Sequence, residues 1–451
     1  EVDIEDPYAF HGGDLEGIIK KLDHIKRLGF TTISLSPIFE NAEKGYHGYW
    51  IEDHYAIEEQ FGSMETLKKL IDEAHKRELK VILELVVNYV APSHPYVQDP
   101  EKTDWFTEND LSLNESTAWL EQVLKFDQSH EEVQQYLLDV AEYWMTETDI
   151  DGFRIHAAEQ TDESFLQVLT EHIKTMNPDF YLIASVLDYD SEQVSQLKEI
   201  PYFDAIENPN FFRLFNDVFS KEEQPVDVLY EAWENEQDQT SVLFVDHQNT
   251  ARFSYQFAVN GRNNITAWRL ALLYLYTTPG VPMVYQGSEL AMSGPGFPEN
   301  QHLVLFNTAN PDLEEVFEKM SALRHQFLPI LTNGDFELIA SDGAMSLFRR
   351  TFEDEAIYLA INNDSVTRSV AVPGLSSDQQ LRGLIGDDLV RENQQGEFRI
   401  GLDRESVEFY IVEENVGLNW GFIGFILGVL LLFIIAVNYL SYKQKKREKT
   451  N

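Results

Sequence analysis

The sequence has no cysteine. That excludes a disulfide framework, thiolate chemistry and cysteine-bound zinc. Positive charge is scarce: 34 Lys and Arg stand against 77 Asp and Glu, for a formal net charge of −43. A surface this acidic repels phosphate, which argues against nucleic-acid partners and is read first as a source of solubility. No Gly-rich phosphate loop follows any strand-like run, and neither internal repeats nor low-complexity tracts occur. The chain opens on "EVDIEDPYAF" without an initiator Met, so a secretory segment is expected upstream. What is plentiful is apolar. Hydrophobic residues make up 43 % and aromatics 12 %, the composition of a folded protein.

One stretch stands apart. Residues 420–440, "WGFIGFILGVLLLFIIAVNYL", carry no charge, and their length suits a helix crossing a bilayer core. Trp420 and Tyr439 stand at the ends, where amphipathic rings prefer the interface, and residues 441–451 are basic. The positive-inside rule predicts a single-pass protein of the cell membrane, with a cytoplasmic tail and the large N-terminal part extracellular.

Before the span, apolar β-branched runs alternate with amphipathic helical segments: "FTTISLSPIF", "KVILELVVNY", "DGFRIHAA", "FYLIASVLDY", "FDAIENP", "SVLFVDH" and "VPMVYQG". Such runs fit parallel strands buried on both faces and joined by helices. They number one fewer than a (β/α)₈ barrel needs, so the first strand is expected to be missing from this chain. The expected organisation is a barrel over residues 1–89 and 130–332, with an inserted loop domain at 90–129 after strand three. A C-terminal antiparallel β domain at 333–414 follows, then the span and tail.

The stretches "AFHGGDLEGI", "GYHGYWIEDHYAI", "FGSMETLKKLIDEAHKR", "KVILELVVN", "DGFRI", "FVDHQNTARF" and "TTPGVPMVYQG" are specific in combination. Through them residues 8–414 resemble the α-amylase family, glycoside hydrolase family 13. The resemblance implies a TIM barrel with an inserted small domain, a C-terminal β-sandwich, and retaining chemistry at α-glucosidic bonds. That chemistry needs a nucleophilic carboxylate and a protonated carboxyl about 5–5.5 Å apart. At the three positions matching the family's catalytic carboxylates this chain has His156, Ser185 and Asn249, and Gln248 replaces the His before the third. Glu84 stands for the usual Asp of the strand-three motif, and Tyr89 for the His after Asn88.

His156 lacks the anionic oxygen that forms a glycosyl ester, Ser185 has no usable acidic proton, and Asn249 lacks the charge. Catalysis is therefore not expected at those positions. The resemblance leaves Tyr49, His47, Arg154 and Arg252 as sugar-binding residues, since aromatic faces and bidentate donors suit sugars. Asn88 alone is no calcium site, so neither metal nor cofactor is expected. The reading is a membrane-anchored extracellular pseudoenzyme that binds α-glucan or another glycan, or serves as ancillary subunit to an integral membrane protein. The alternative is an active membrane-tethered α-glucosidase or α-amylase with relocated acids, drawn from Glu84, Glu159, Asp188, Glu207, Asp246 and Glu289.

Overall fold

The structure, a computed structural model, describes residues 10, 12–107, 121–187, 192–236, 240–415 and 420–448. Seven strands form one parallel sheet in chain order: β1 (Thr32–Leu35), β2 (Lys80–Leu85), β3 (Gly152–Ile155), β4 (Tyr181–Ala184), β5 (Ala205–Glu207), β6 (Ser241–Leu243) and β7 (Val281–Pro282). They fall within the seven runs anticipated from the pattern. The expected first strand would precede helix α1 (Leu15–Arg27), where residues 1–9 and 11 lie outside the described residues.

The helices begin where local chemistry allows. Asp14 caps α1 by accepting from Gly17 N at 2.6 Å. Ser63 caps α2 (Met64–His75), whose Leu67, Leu70, Ile71 and Ala74 recur at helical spacing and are all buried. Between strands, Gly152 lets β3 approach β4 closely, since a Cβ there would stand 2.3 Å from the Tyr181 carbonyl oxygen.

Several strands are shorter than their apolar runs. The run at Ser241–His247 pairs only over Ser241–Leu243, and the run at Val281–Gly287 only over Val281–Pro282. Beyond the ladder the backbone turns to local bonds, such as His247 N to Thr250 Oγ1 at 2.9 Å. The strands stop where the loops of the barrel mouth begin.

Between β2 and β3 a small antiparallel sheet of Tyr89–Val90, Phe106–Thr107 and Leu124–Phe126 is built; residues 108–120 of that insertion lie outside the described residues. After the barrel a six-stranded antiparallel sheet spans Asp335–Glu414 in sequence, with Arg368–Val372 and Phe398–Leu402 as a separate two-stranded ribbon. The expected β-sandwich is thus one large sheet beside a ribbon. Arg350, fully buried, joins this domain to the barrel by donating to the carbonyls of Thr277, Leu331 and Gly334. The last helix, Trp420–Glu448, holds an apolar window at Ile423–Ser441 with mean hydropathy 2.6 and no part buried against protein. By length and composition it can cross a membrane.

Candidate active site

β2 and β3 are in register so that Glu84 pairs with Arg154, and both side chains point to the same face. Charge in a fully buried strand is costly unless it is paired. Here it is paired twice. Arg154 Nη1 donates to Glu84 Oε2 at 2.6 Å, while Nε and Nη2 donate to Glu207 Oε1 at 2.8 and 2.5 Å. Arg154, Glu84 and Glu207 are 3 %, 1 % and 1 % exposed, so solvent does little to weaken the pairing. One guanidinium therefore holds two carboxylates from strands on either side of it.

The remaining oxygens face the positions singled out in the sequence. Glu84 Oε1 lies 2.6 Å from His156 Nδ1 and accepts from the Tyr49 hydroxyl at 3.0 Å. Glu207 Oε2 accepts from Ser185 Oγ at 3.1 Å and Val186 N at 3.0 Å. His156 and Ser185 thus each hydrogen-bond a glutamate from a neighbouring strand. The His156 ring lies against Tyr49, centroids 4.6 Å apart, and edge-on to Tyr89 at 5.7 Å. The chain then turns at Ala157 with φ 48°, a left-handed value that marks strain at the mouth. Gln248 Nε2 reaches the Tyr49 hydroxyl at 3.1 Å and Glu84 Oε2 at 3.4 Å.

Burial alone would push the Glu84 carboxyl up. The Arg154 charge, with His156 and Tyr49 bonding to it, outweighs burial and holds Glu84 below its ordinary 4.5. A folded-state value below the unfolded one means that Glu84 adds stability in full above about 4.5, and that this is lost as pH falls through the lower folded value. The unfolding free energies of the wild-type chain and Glu84→Gln are therefore expected to differ most above pH 5 and to converge on acidification. A difference independent of pH between 3 and 6 would contradict the pairing.

The other sequence-derived residues have different surroundings. His47 is buried and accepts from Tyr49 N at 3.0 Å; burial pushes its imidazole down to about 3, so it is neutral. Gly48 makes this turn with φ +87°, where a Cβ would stand 2.3 Å from the Pro37 carbonyl oxygen. Arg252 is spent on the loop carbonyls of Asn300 and Gln286, both at 2.8 Å, and stacks on Tyr285. It shapes the mouth from behind. Asn249 N donates to His247 Nδ1 at 3.0 Å. Asn88 donates to the carbonyls of His156 and Ala157 and so holds the turn after β3.

Of the six acids considered as substitutes, Asp188 lies outside the described residues. Asp246 binds Ser288 Oγ and Phe253 N, Glu289 binds Gly287 N, and Glu159 accepts from Leu187 N. Among the described residues only Glu84 and Glu207 share Arg154. Sequence reasoning included Glu207 but did not single it out. The signal was there: a carboxylate inside a strand buried at every position needs a cationic partner.

A profile of the alpha-amylase catalytic domain matches residues 4–326, and one of the alpha-amylase C-terminal domain matches residues 334–410. The chain belongs to the α-amylase family. The crystal structure of an Anoxybacillus alpha-amylase superposes with TM-score 0.87 at 40 % identity, covering 93 % of this chain and 94 % of that one. That of a Geobacillus thermoleovorans alpha-amylase complexed with acarbose gives TM-score 0.86 at 35 % identity over 92 % and 95 %. A cyclomaltodextrinase of Geobacillus thermopakistaniensis is 28 % identical over 393 residues, 81 % of this chain, which spans 65 % of that enzyme's length.

These relatives correct the functional expectation. The expected membrane-anchored pseudoenzyme is overturned by similarity to proteins named as enzymes along nearly the whole barrel and C-terminal domain. That expectation took the joint loss at three positions as decisive and kept relocated acids, Glu84 and Glu207 among them, as the alternative; the pairing of those two through Arg154 emerges only from the barrel geometry. Nothing in the relatives' names supports an integral membrane protein as partner.

Proposed function

We propose that this chain is a glycoside hydrolase acting on α-glucans, the linear and cyclic maltooligosaccharides. Its acid groups in this reading are Glu84 and Glu207, not side chains at the positions of His156, Ser185 and Asn249. The observation that carries the reading is the pair of buried carboxylates joined by Arg154 at the strand ends, where barrel enzymes place their chemistry. Glu84, held ionised, puts negative charge where an oxocarbenium-like centre develops. Glu207 handles the proton beside Ser185. Tyr49 and His47, 1 % and 7 % exposed, pack beneath the mouth and support Glu84 instead of presenting a face to a sugar; Arg154 fixes both carboxylates, and Arg252 holds the 286–300 loop at the rim.

Purified chain incubated with maltoheptaose and β-cyclodextrin is expected to release reducing ends in proportion to enzyme and time. Absence of release from either, with the fold verified by circular dichroism, would overturn the hydrolytic reading.

The place of this activity is a separate proposal. The unburied apolar window in Trp420–Glu448 supports a single bilayer crossing with the basic end inside and the barrel outside. The full chain is expected in the membrane fraction, released by detergent and not by alkaline carbonate. Recovery in the soluble fraction would contradict it.

A further inference from the structure

We infer that residues 287–302 form a strap over the barrel mouth that must lift off Gln248 before an α-glucan can reach Glu84 and Glu207. This rests on the hydrolytic reading above, which needs a sugar ring to meet two acids that are each 1 % exposed. Three observations carry it.

The strap ties two sides of the mouth together. On the β6 side, Arg252 N donates to Gly294 O at 2.9 Å, and Gln301 Nε2 donates to the Gln248 carbonyl at 2.8 Å. Asn300 Nδ2 donates to the carbonyls of Gln248 and Thr250 at 2.8 and 2.7 Å. On the other side, the Phe297 ring meets Tyr46 and His47 in the loop after β1, with centroids 6.4 and 6.3 Å apart.

Gln248 connects the strap to the acids. Its carbonyl carries the two strap amides, while its own Nε2 donates to the Tyr49 hydroxyl at 3.1 Å and to Glu84 Oε2 at 3.4 Å. Gln248 is partly exposed, whereas Tyr49 and Glu84 are each 1 % exposed, so its side chain stands between solvent and Glu84. Held from behind by the strap, it stays there. Lifting the strap releases it.

The closed arrangement also carries a defect. Asn300 is 0 % exposed, and with Nδ2 turned to two carbonyls its Oδ1 is left without a partner. Flipping the amide would set its oxygen against those same carbonyls. An unpaired buried acceptor costs free energy that hydration of the lifted strap would return, and water can replace the strap's hydrogen bonds at small net cost. Gly287 and Gly296 have φ +87° and +156°, values that side chains rarely adopt. A Cβ at Gly296 would meet nothing within 4 Å, so glycine serves backbone freedom there and not close approach. Segments of this kind gate access to many enzyme sites.

Gln301→Ala in the full chain removes one strap bond and leaves both acids untouched. The loss should raise the population of the lifted form about 2–10-fold. Hydrogen exchange across residues 287–302, and at the Arg252 amide that Gly294 O accepts from, should quicken by that factor. Acarbose, used as the probe, should bind tighter by the same factor, because affinity scales with the competent fraction. Unchanged exchange, faster exchange with unchanged affinity, or no acarbose binding to either chain would overturn the inference. Maltoheptaose turnover by the wild-type chain decides the hydrolytic reading separately. Turnover with unchanged exchange keeps that reading and removes the strap; tighter acarbose binding without turnover keeps the strap over a sugar site and removes the reading. Phe297→Ala, which frees the other side of the strap, should move both readouts the same way, and it decides the inference if Gln301→Ala does not fold.

Discussion

Replacing Arg154 with methionine is expected to destabilise the folded chain by about 3–5 kcal/mol, because the change strips the partner from two buried carboxylates at once. Arg154 donates three hydrogen bonds, to Glu84 and Glu207, and both acceptors are 1 % exposed. Without the guanidinium, burial and mutual repulsion both favour protonation of the two acids. The Arg154 guanidinium is itself held above its usual range: burial opposes its charge, but Glu207 and Glu84 more than compensate. Lowering the pH should therefore partly rescue Arg154→Met relative to the wild-type chain, since protonated glutamates no longer need a cation. Chemical denaturation at pH 7 and pH 4.5 measures both effects. A loss under about 1 kcal/mol would show that the network is exposed and weak, as surface pairs are.

The second large effect is on turnover. Glu207→Gln should reduce maltoheptaose hydrolysis by about 10²–10⁴-fold, the range for loss of a proton-handling group. Glutamine has nearly the same shape. If its amide oxygen stays with Arg154, its NH₂ faces Ser185 Oγ and Val186 N; the hydroxyl can rotate to accept, but the Val186 N–H is left without an acceptor. Stability should therefore fall while the fold persists, and near-UV circular dichroism separates lost chemistry from lost structure. Wild-type rates in the folded variant would remove Glu207 from the reaction and return the search to the other buried acids.

Much of the fold was legible in the sequence. β-branched runs without polar alternation can satisfy their surroundings only when covered on both faces, and all seven became parallel strands in the order of the chain. The C-terminal strands were equally plain, because short alternating runs separated by turns leave few other options. Strand ends were less legible. At Val242–His247 the side chains stay apolar or buried after the ladder has stopped, so burial outlasts pairing and hydropathy cannot mark the boundary.

The site divides in the same way. The resemblance to the α-amylase family located His156, Ser185 and Asn249, together with the family pattern from which they depart. It could not show that Arg154 reaches Glu84 and Glu207, residues 70 and 53 positions away along the chain. A carboxylate inside an apolar strand run marked Glu207 as needing a cation, but the sequence could not say which cation meets it. By itself the sequence determined the parallel architecture, the family and the apolar terminal helix, because these follow from local pattern and composition. Only the tertiary structure decided which charges meet. Ion pairing inside a barrel depends on strand register and on which side chains share the interior, and those are set when strands distant in sequence close against one another.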